Sequence, residues 1–295
     1  MILLFIAIVF LFTIMIGVPL VWAIIITAVL PIFEFDLGYP LQAVYLNFIG
    51  GVEPNHFIAI PLFIFAGELM GRGGVGQRII DFAKEAFGFL PGGLGIVVVG
   101  ASMLFGGISG SAIADSAAIG SVMIPNMAKK GYTKAFAGGL VAAAGTIGII
   151  IPPSIPMLIY GFVGNVSVAD LFLAGVVPGL IFGLLFMAVC YRVGKKTNCD
   201  PGGQKTSASA LWRSFVRSGP ALFMPVLILG GIFGGLVTPT EAAAVAVVYG
   251  FFVTVVLYRD FSLKEMPKLI VDSFVTSAIV MVVIGATTIL GWLIT

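Results

Sequence analysis

The chain has 295 residues, of which 60% are hydrophobic and only 9% are charged, and its mean hydropathy is +1.17. This composition excludes an ordinary soluble domain and indicates an integral membrane protein. The net charge of +2 gives no sign of a nucleic-acid partner, and we expect none.

Basic residues set the predicted topology. All 15 Lys and Arg residues fall in four short stretches, and none precedes residue 72. Because basic loops stay on the cytoplasmic side of a membrane, each stretch predicts a return of the chain to the cytoplasm. The stretches are 72–84, 129–134, 192–217 and 259–268.

Residues 1–72 are predicted to form the N-terminal membrane spans. Residues 1–33 are apolar, but Gly17-Val18-Pro19 interrupts them, so two short spans and one kinked span are both possible. This stretch lacks the basic region and cleavage site of a signal peptide, and we therefore interpret it as membrane-spanning. Residues 34–55 carry acidic residues and no basic ones, which suits the outer face of the membrane.

Two elements connect these spans to the middle of the chain. In the span 56–71, His56 is expected at the membrane interface, and Glu68 is expected to pair with Arg72, with a role in transport as the alternative. Residues 73–90 predict an amphipathic arm helix that lies in the cytoplasmic interface. This arm either braces the base of the next segment or serves as a simple surface connector.

Residues 91–128 predict a re-entrant hairpin. As one straight helix, Pro91 to Pro125 would run roughly 50 Å, which is far more than a hydrocarbon core of about 30 Å. Residues 106–111, GGISGS, are too rich in glycine to continue a helix comfortably. Because both flanks are basic, the segment is expected to enter from the cytoplasm, turn at GGISGS and leave by the same face. Irregular backbone at membrane depth needs protein or water around it, so the tip is a candidate binding site.

Residues 133–163 predict a broken membrane span. Pro152, Pro153 and Pro156 cannot all lie within one regular helix, because each lacks an N–H group and clashes with the preceding turn. The break is expected near mid-membrane, with free carbonyl groups on one side and free N–H groups on the other. Residues 168–192 then form a span that returns to the cytoplasm.

A polar cytoplasmic linker, residues 193–217, divides the chain into two halves. Residues 218–295 predict three further spans, with Thr238 or Thr240 capping the second and Glu241 favouring its positive end. If residues 1–33 form two spans, the two halves run in opposite senses, an inverted repeat that is typical of secondary transporters. A second hairpin would come next, so we expect the second repeat to be incomplete here and the native protein to be longer.

The hairpin tip and the break offer the oxygen atoms that a sodium site needs. Sodium is a hard cation that backbone carbonyls in unwound helical segments bind, and hydroxyls serve the same purpose. The predicted sodium ligands are Ser109, Gly110, Ser111, Thr146, Gly148 and Pro152. The predicted substrate contacts are Ser111, Asp115 and Ser154.

Asp115 is the only charged residue between Pro91 and Pro125, and a lone carboxylate at membrane depth is costly and by default functional. It either offsets the charge of the coupling ion or accepts a proton as the coupling ion. The structural alternative is that it holds the shape of the hairpin through bonds to neighbouring N–H groups. The helix after the tip, residues 112–127, directs its positive end towards mid-membrane and so favours an anionic substrate.

Three functions fit these features. No nucleotide-binding loop, metal-ligand cluster or catalytic triad pattern occurs, so an enzyme is not expected. The first hypothesis is a sodium-coupled carrier of anions. The alternatives are a membrane scaffold subunit that transports nothing and a channel that conducts continuously; the hairpin followed by a broken span favours the carrier.

These motifs make the sequence resemble the large membrane (M) subunit of TRAP (tripartite ATP-independent periplasmic) transporters. The resemblance covers nearly all of the chain and keeps the order of the family's motifs. The matching motifs are FIFAGELM (63–70), PGGLG (91–95), SGSAIADSAAIGSVMIP (109–125), KKGYTKAF (129–136), IGIIIPPSIPMLIYG (147–161), LFLAGVVPG (171–179) and GGIFGGLVTPTEAAAVAVVYG (230–250).

The resemblance implies an all-α integral membrane protein with an inverted-repeat, ion-transporter-like fold in the bacterial inner membrane. It implies sodium-driven uptake of carboxylates such as C4-dicarboxylates or sialic acid. The partners would be a small membrane (Q) subunit and a periplasmic substrate-binding (P) protein. An elevator mechanism is also implied, in which the hairpin and broken helix form a mobile transport domain beside a scaffold of N-terminal spans. Family members continue into a second hairpin and a second broken helix.

Overall fold

The computed structural model describes residues 1–53, 55–197, 199–203 and 207–295, without the side chains of residues 55 and 56. The interfacial position expected of His56 therefore lies outside the described part. All regular structure in the described residues is helical, which confirms the predicted all-α class. The α-helices are α1 Ile2–Met15, α2 Leu20–Glu34, α3 Leu41–Val52, α4 Ala59–Arg72, α5 Val75–Phe87, α6 Gly93–Ser109, α7 Ala112–Lys129, α8 Lys134–Ile147, α9 Ile155–Val163, α10 Val168–Thr197, α11 Ala208–Phe233, α12 Pro239–Phe251 and α13 Met266–Ile294.

The helices form two compact units. The first contains residues 1–57 and 274–295, and the second contains residues 58–273. In the first unit α1 and α2 pack against each other, and a left-handed Gly17 turns the chain between them. The apolar N-terminal stretch thus forms two helices, one of the two alternatives that the sequence left open. Helix α3 follows in this unit and was not predicted.

Helix lengths distinguish ordinary spans from the elements around the candidate site. Among the described residues, four helices are long and apolar enough to cross a membrane: Val168–Thr197, Ala208–Phe233, Pro239–Leu257 and Leu263–Ile294. Helices α6 and α8 are apolar but have only 17 and 14 residues. Since a span needs about 20 residues, neither would cross a bilayer alone.

Helix α6 lies at the centre of the second unit. It is apolar on every side, and a helix of that kind is stable only when it is surrounded. The consecutive residues Val97, Val98 and Val99 are all fully buried, which shows that no face of this part of the helix is free. Helices α4, α5, α7, α8, α10 and α11 pack around it.

The amphipathic arm is helix α5, and its apolar face packs on protein. Ile79, Ile80 and Ala83 are fully buried, and α5 contacts α6, α7 and α11. Its apolar stripe faces these helices, and its expected position in the cytoplasmic interface of the membrane stays a prediction. Of the two roles that the sequence left open, this packing favours a brace for the α6–α7 pair over a simple connector.

The polar linker is shorter than predicted. Residues 193–217 were expected to form a loop, but α10 continues to Thr197 and α11 begins at Ala208. Basic residues are good helix formers, and their long stems cover apolar surface, so they extend both helices.

Asp200, in the short interval between α10 and α11, caps α6: its Oδ2 accepts a hydrogen bond of 2.8 Å from the Leu94 N–H. Its backbone carbonyl also accepts one of 2.8 Å from Gly92.

Two local predictions about polar side chains are confirmed. Arg72 Nη2 lies 3.4 Å from Glu68 Oε2, as the i, i+4 spacing predicted, and 2.7 Å from Asp272 Oδ2, a partner that no local pattern could reveal. Thr238, one of two candidate caps, accepts a hydrogen bond from the Glu241 N–H, and the Glu241 carboxylate accepts one from the Thr238 N–H in return. This capping box satisfies two N–H groups at the start of α12.

Glycines allow α6 and α8 to touch backbone to backbone. A Cβ atom added to Gly106 would overlap the Cα of Gly148, which is the residue just after α8. Residues 106–109 were expected to leave the helix but remain within α6, and only Gly110 and Ser111 form the bend. The glycines at 106 and 107 therefore serve close packing, because α6 passes against the break at this level.

Substituting Gly106→Ala should lower the free energy of unfolding by roughly 1–3 kcal/mol, because the new methyl group must push α6 away from Gly148. Gly139→Ala on α8 is the matched control, since its added Cβ meets nothing within 4 Å. The control should leave the thermal midpoint of the detergent-solubilised protein unchanged or slightly raised. Equal midpoints for the two variants would contradict the close contact.

Substituting Asp200→Ala should lower the free energy of unfolding by about 1 kcal/mol, because the first turn of α6 loses its side-chain cap. Glu34→Ala, which removes an exposed carboxylate at the end of α2, is the comparison. Thermal unfolding followed by tryptophan fluorescence measures both. The capping role is wrong if Asp200→Ala unfolds at the same temperature as Glu34→Ala.

Candidate functional site

The tip between α6 and α7 is a two-residue bend. Helix α6 ends at Ser109, and Gly110 adopts φ +60°, a left-handed conformation that glycine reaches without strain. The chain is extended at Ser111, whose Oγ accepts a hydrogen bond of 3.3 Å from the Ala114 N–H. Ser111 thereby caps the N-terminal end of α7.

The break between α8 and α9 ends in the same way. Helix α8 ends at Ile147, and α9 begins at Ile155 after Ser154, which is extended and accepts a hydrogen bond of 3.4 Å from the Met157 N–H. The Ser154 hydroxyl donates a 2.6 Å hydrogen bond to the Ile149 carbonyl and so ties the two sides of the break together.

The structure brings the tip and the break into direct contact. The Ile155 N–H donates a hydrogen bond of 3.4 Å to the Gly110 carbonyl. The Cβ position of Gly110 lies 2.8 Å from the Pro153 carbonyl oxygen, and that of Gly107 lies 3.5 Å from the Pro152 carbonyl oxygen. Carbonyl groups of the break therefore face the end of α6 and the bend after it.

Four helix ends meet at this place. The C-terminal ends of α6 and α8 adjoin through Gly106 and Gly148, and the N-terminal end of α9 adjoins the bend that leads into α7 through Ile155 and Gly110. Helix C-terminal ends carry partial negative charge and favour cations, whereas N-terminal ends carry partial positive charge and favour anions. The arrangement can hold a cation and an anion side by side.

Asp115 lies in the first turn of α7, close to the end of α8 at Gly148. Its side chain is fully buried, and within the described part of the chain neither carboxylate oxygen has a hydrogen-bond partner. A Cβ atom added to Gly148 would lie 3.2 Å from Asp115 Oδ2, so the carboxylate faces the break. A buried carboxylate without partners is costly, and a bound cation or a proton would remove that cost.

The Ser102 hydroxyl is a site residue that sequence reasoning missed. It is fully buried beside the Asp115 carboxylate, and the hydroxyl and the carboxylate lie close together without reaching normal hydrogen-bond geometry. Ser102 lies two helical turns before Ser109 on the same face of α6, a spacing that could have identified it.

The predicted site residues fall into two groups. Ser109, Gly110, Gly148 and Pro152 lie together and are buried, and half-buried Ser111 lies beside them. Thr146 stands apart from this buried group, because its side chain is exposed and its hydroxyl donates a 2.7 Å hydrogen bond to the Ala143 carbonyl. Of the predicted substrate contacts, Asp115 and Ser154 are fully buried. Their oxygens would become available to a ligand only from inside the site.

Comparison with known proteins identifies the family of the chain. Residues 6–295 match the family described as "Tripartite ATP-independent periplasmic transporter, DctM component". The 2,3-diketo-L-gulonate TRAP transporter large permease protein YiaN of Escherichia coli (strain K12) is 38% identical over 95% of this chain and 65% of its own length. The C4-dicarboxylate TRAP transporter large permease protein DctM of Pseudomonas aeruginosa is 45% identical over 79% of this chain and 54% of its own.

A third relative, the sialic acid TRAP transporter large permease protein SiaM of Vibrio cholerae, is 39% identical over 83% of this chain and 57% of its own length. The chain thus spans no more than two thirds of these curated relatives. The family match nevertheless extends over nearly the whole chain and includes the hairpin and the break. The chain belongs to the family of DctM components, the large membrane permeases of tripartite ATP-independent periplasmic transporters.

Proposed function

We propose that this chain forms part of a secondary transporter that takes up an organic anion, a carboxylate, together with sodium across the bacterial inner membrane. A periplasmic binding protein would deliver the substrate, and a small membrane subunit would complete the permease. Membership of the family supports this proposal. The names of three relatives, which refer to diketogulonate, C4-dicarboxylates and sialic acid, support it too. The observation that carries it is the meeting of four helix ends around a buried, unpartnered Asp115.

Sodium would bind on the side of the helix C-terminal ends. The bend at Ser109 and Gly110 and the break at Gly148 and Pro152 are buried, and the Pro152 carbonyl faces the end of α6. A hard, weakly polarisable cation is well served by such carbonyl groups. Asp115 would add a full negative charge beside them.

The carboxylate substrate would bind on the side of the helix N-terminal ends, near Ser111 and Ser154. Without a cation, the charge of Asp115 would repel an anion at this short range. With a cation bound, the repulsion is cancelled and the positive ends of α7 and α9 dominate. Sodium binding would therefore precede and strengthen substrate binding, which is the coupling that a symporter needs.

Transport itself would follow an elevator movement, in which the assembly of α6, α7, α8 and α9 carries both ligands across the membrane. This part of the proposal rests on the family resemblance. The packing of α6 against both α7 and α8 supports movement as one body.

Substituting Ser111→Ala should raise the sodium concentration for half-maximal uptake about tenfold, because one oxygen ligand and one helix cap are lost. Asp115→Ala should raise it further, since the compensating charge is removed. Uptake by the full-length permease with its small subunit and binding protein is measured in proteoliposomes while sodium is varied. Ser121→Ala, an exposed serine on the same helix, is the control and should behave as the unsubstituted protein.

Wild-type sodium dependence in both test variants would remove the tip from the sodium site. Uptake that continues unchanged without sodium in the unsubstituted protein would reject sodium coupling itself.

Proton coupling is a second candidate. The buried Asp115 carboxylate has no hydrogen-bond partner of normal geometry among the described residues, and such a group is favoured in its protonated, neutral form. In that case Asp115→Asn, which mimics the protonated acid, should abolish the response of uptake to a pH gradient while any sodium response remains. In the sodium mechanism, the same variant should weaken the response of uptake to a sodium gradient and leave its response to a pH gradient unaltered. Proteoliposome uptake with separately imposed pH and sodium gradients distinguishes the two.

A further inference from the structure

A cleft lies between α5 and α11, away from the candidate transport site. Its volume is about 1020 Å³, and residues at helical spacing from both helices line it. Gln77, Asp81 and Lys84 face it from α5, and Arg213 and Arg217 face it from α11. The segment that follows α12 closes its third side with Leu257, Tyr258 and Asp260.

Most charges around the cleft are already paired. Arg78 forms an ion pair with Asp260 and lies 3.9 Å from the centre of the Tyr258 ring. Lys84 Nζ lies 3.8 Å from Asp81 Oδ1. These pairs anchor the walls of the cleft and leave little net charge on the α5 side.

Arg213 and Arg217 differ from the other cations. Both are exposed, and neither has a carboxylate within ion-pair distance among the residues that the structure describes. The Arg213 Nε–H bonds only to the Ser209 carbonyl of its own helix, at 3.3 Å. Because they stand four residues apart, their guanidinium groups project from one face of α11 towards the cleft. Glu85 is the one lining acid outside the ion pairs, and it lies on the opposite wall.

An apolar surface adjoins the two arginines. Trp212 is 64% exposed and stacks on Phe215, with 5.8 Å between ring centroids. Val216 is 55% exposed and also lines the cleft. Exposed aromatic side chains next to arginine, at the beginning of a membrane-length helix, are typical of the level of lipid headgroups.

We propose that this cleft binds the headgroup of an anionic phospholipid from the cytoplasmic leaflet. The phosphate would lie between Arg213 and Arg217, whose planar guanidinium groups suit phosphate oxygens. The acyl chains would lie along Trp212, Phe215 and Val216. A free phosphate would use the arginines but gain nothing from this apolar surface, so the site favours a lipid.

The position of the cleft connects it to the hairpin. Helix α5 forms one wall of the cleft and packs its other side on α6 and α7. The Ser218 hydroxyl of α11 donates a 2.9 Å hydrogen bond to the Arg78 carbonyl of α5 and fixes the spacing of the walls. A bound lipid would therefore hold α5 and α11 in place at the base of the hairpin, whether or not the proposed transport is sodium-coupled.

The test measures lipid binding to the purified protein by native mass spectrometry, with phosphatidylglycerol and phosphatidylcholine added to a common detergent. The protein should bind one phosphatidylglycerol more tightly than phosphatidylcholine. Arg213→Ala and Arg217→Ala together should weaken that binding roughly 25-fold, about fivefold for each arginine. Lys195→Ala with Lys196→Ala, which removes the same charge from the exposed end of α10, is the control and should bind as the unsubstituted protein does.

Equal weakening in the two double variants would overturn the site, because net charge alone would then explain binding. Equal binding of the two lipids by the unsubstituted protein would also overturn it. Displacement of the lipid by millimolar inorganic phosphate would assign the arginines to a free anion instead. The comparison of lipids needs no variant, so it can still overturn the proposal if the α11 substitutions prevent folding.

Discussion

The contact on which the structure depends is the one between Gly106 and Gly148. At this point the backbones of α6 and α8 meet with no side chain between them. Any other residue at Gly106 would place a Cβ atom on the backbone of the break. Because the helices approach so closely, the bend after α6 and the break after α8 lie at the same level, and their polar backbone groups face each other.

That meeting point concentrates opposite partial charges in a small, buried volume. Two helices end there and two begin there, each beginning capped by a serine in extended conformation. Buried polar groups are normally paired, yet the Asp115 carboxylate and the neighbouring Ser102 hydroxyl do not reach normal hydrogen-bond geometry with each other or with any other described residue. Such unpaired buried groups lower the stability of the protein, and a bound cation or a proton would remove that cost.

Local chemistry predicted much of this arrangement. The glycine and serine residues before Asp115 predicted a bend, and the triple proline predicted a break, because each follows from backbone rules that act within a few residues. The i, i+4 pair of Glu68 with Arg72 was predictable for the same reason. Whether the hairpin enters from the cytoplasm, and whether the second half repeats the first in inverted form, remain predictions.

What could not be predicted depends on contacts between distant parts of the chain. Gly106 was interpreted as a helix breaker, whereas its neighbour across the fold, Gly148, explains why it is glycine within a helix. The pairing of Arg72 with Asp272 spans 200 residues, and no periodicity reveals it. Thr146 was predicted as a ligand from its place beside the break, and no local pattern reveals that its side chain is exposed.

The most direct measurement is a pair of cryo-electron microscopy structures of the full-length protein in nanodiscs. One is determined in a buffer that contains thallium(I) ions, and the other in a buffer that contains choline as the control cation. Thallium replaces sodium at many sites and scatters strongly enough to be located. The proposal predicts thallium density between the bend at residues 109–111 and the break at residues 148–154, within coordination distance of oxygens from both and next to Asp115. Density that is absent there while ions are visible elsewhere in the same map would contradict it.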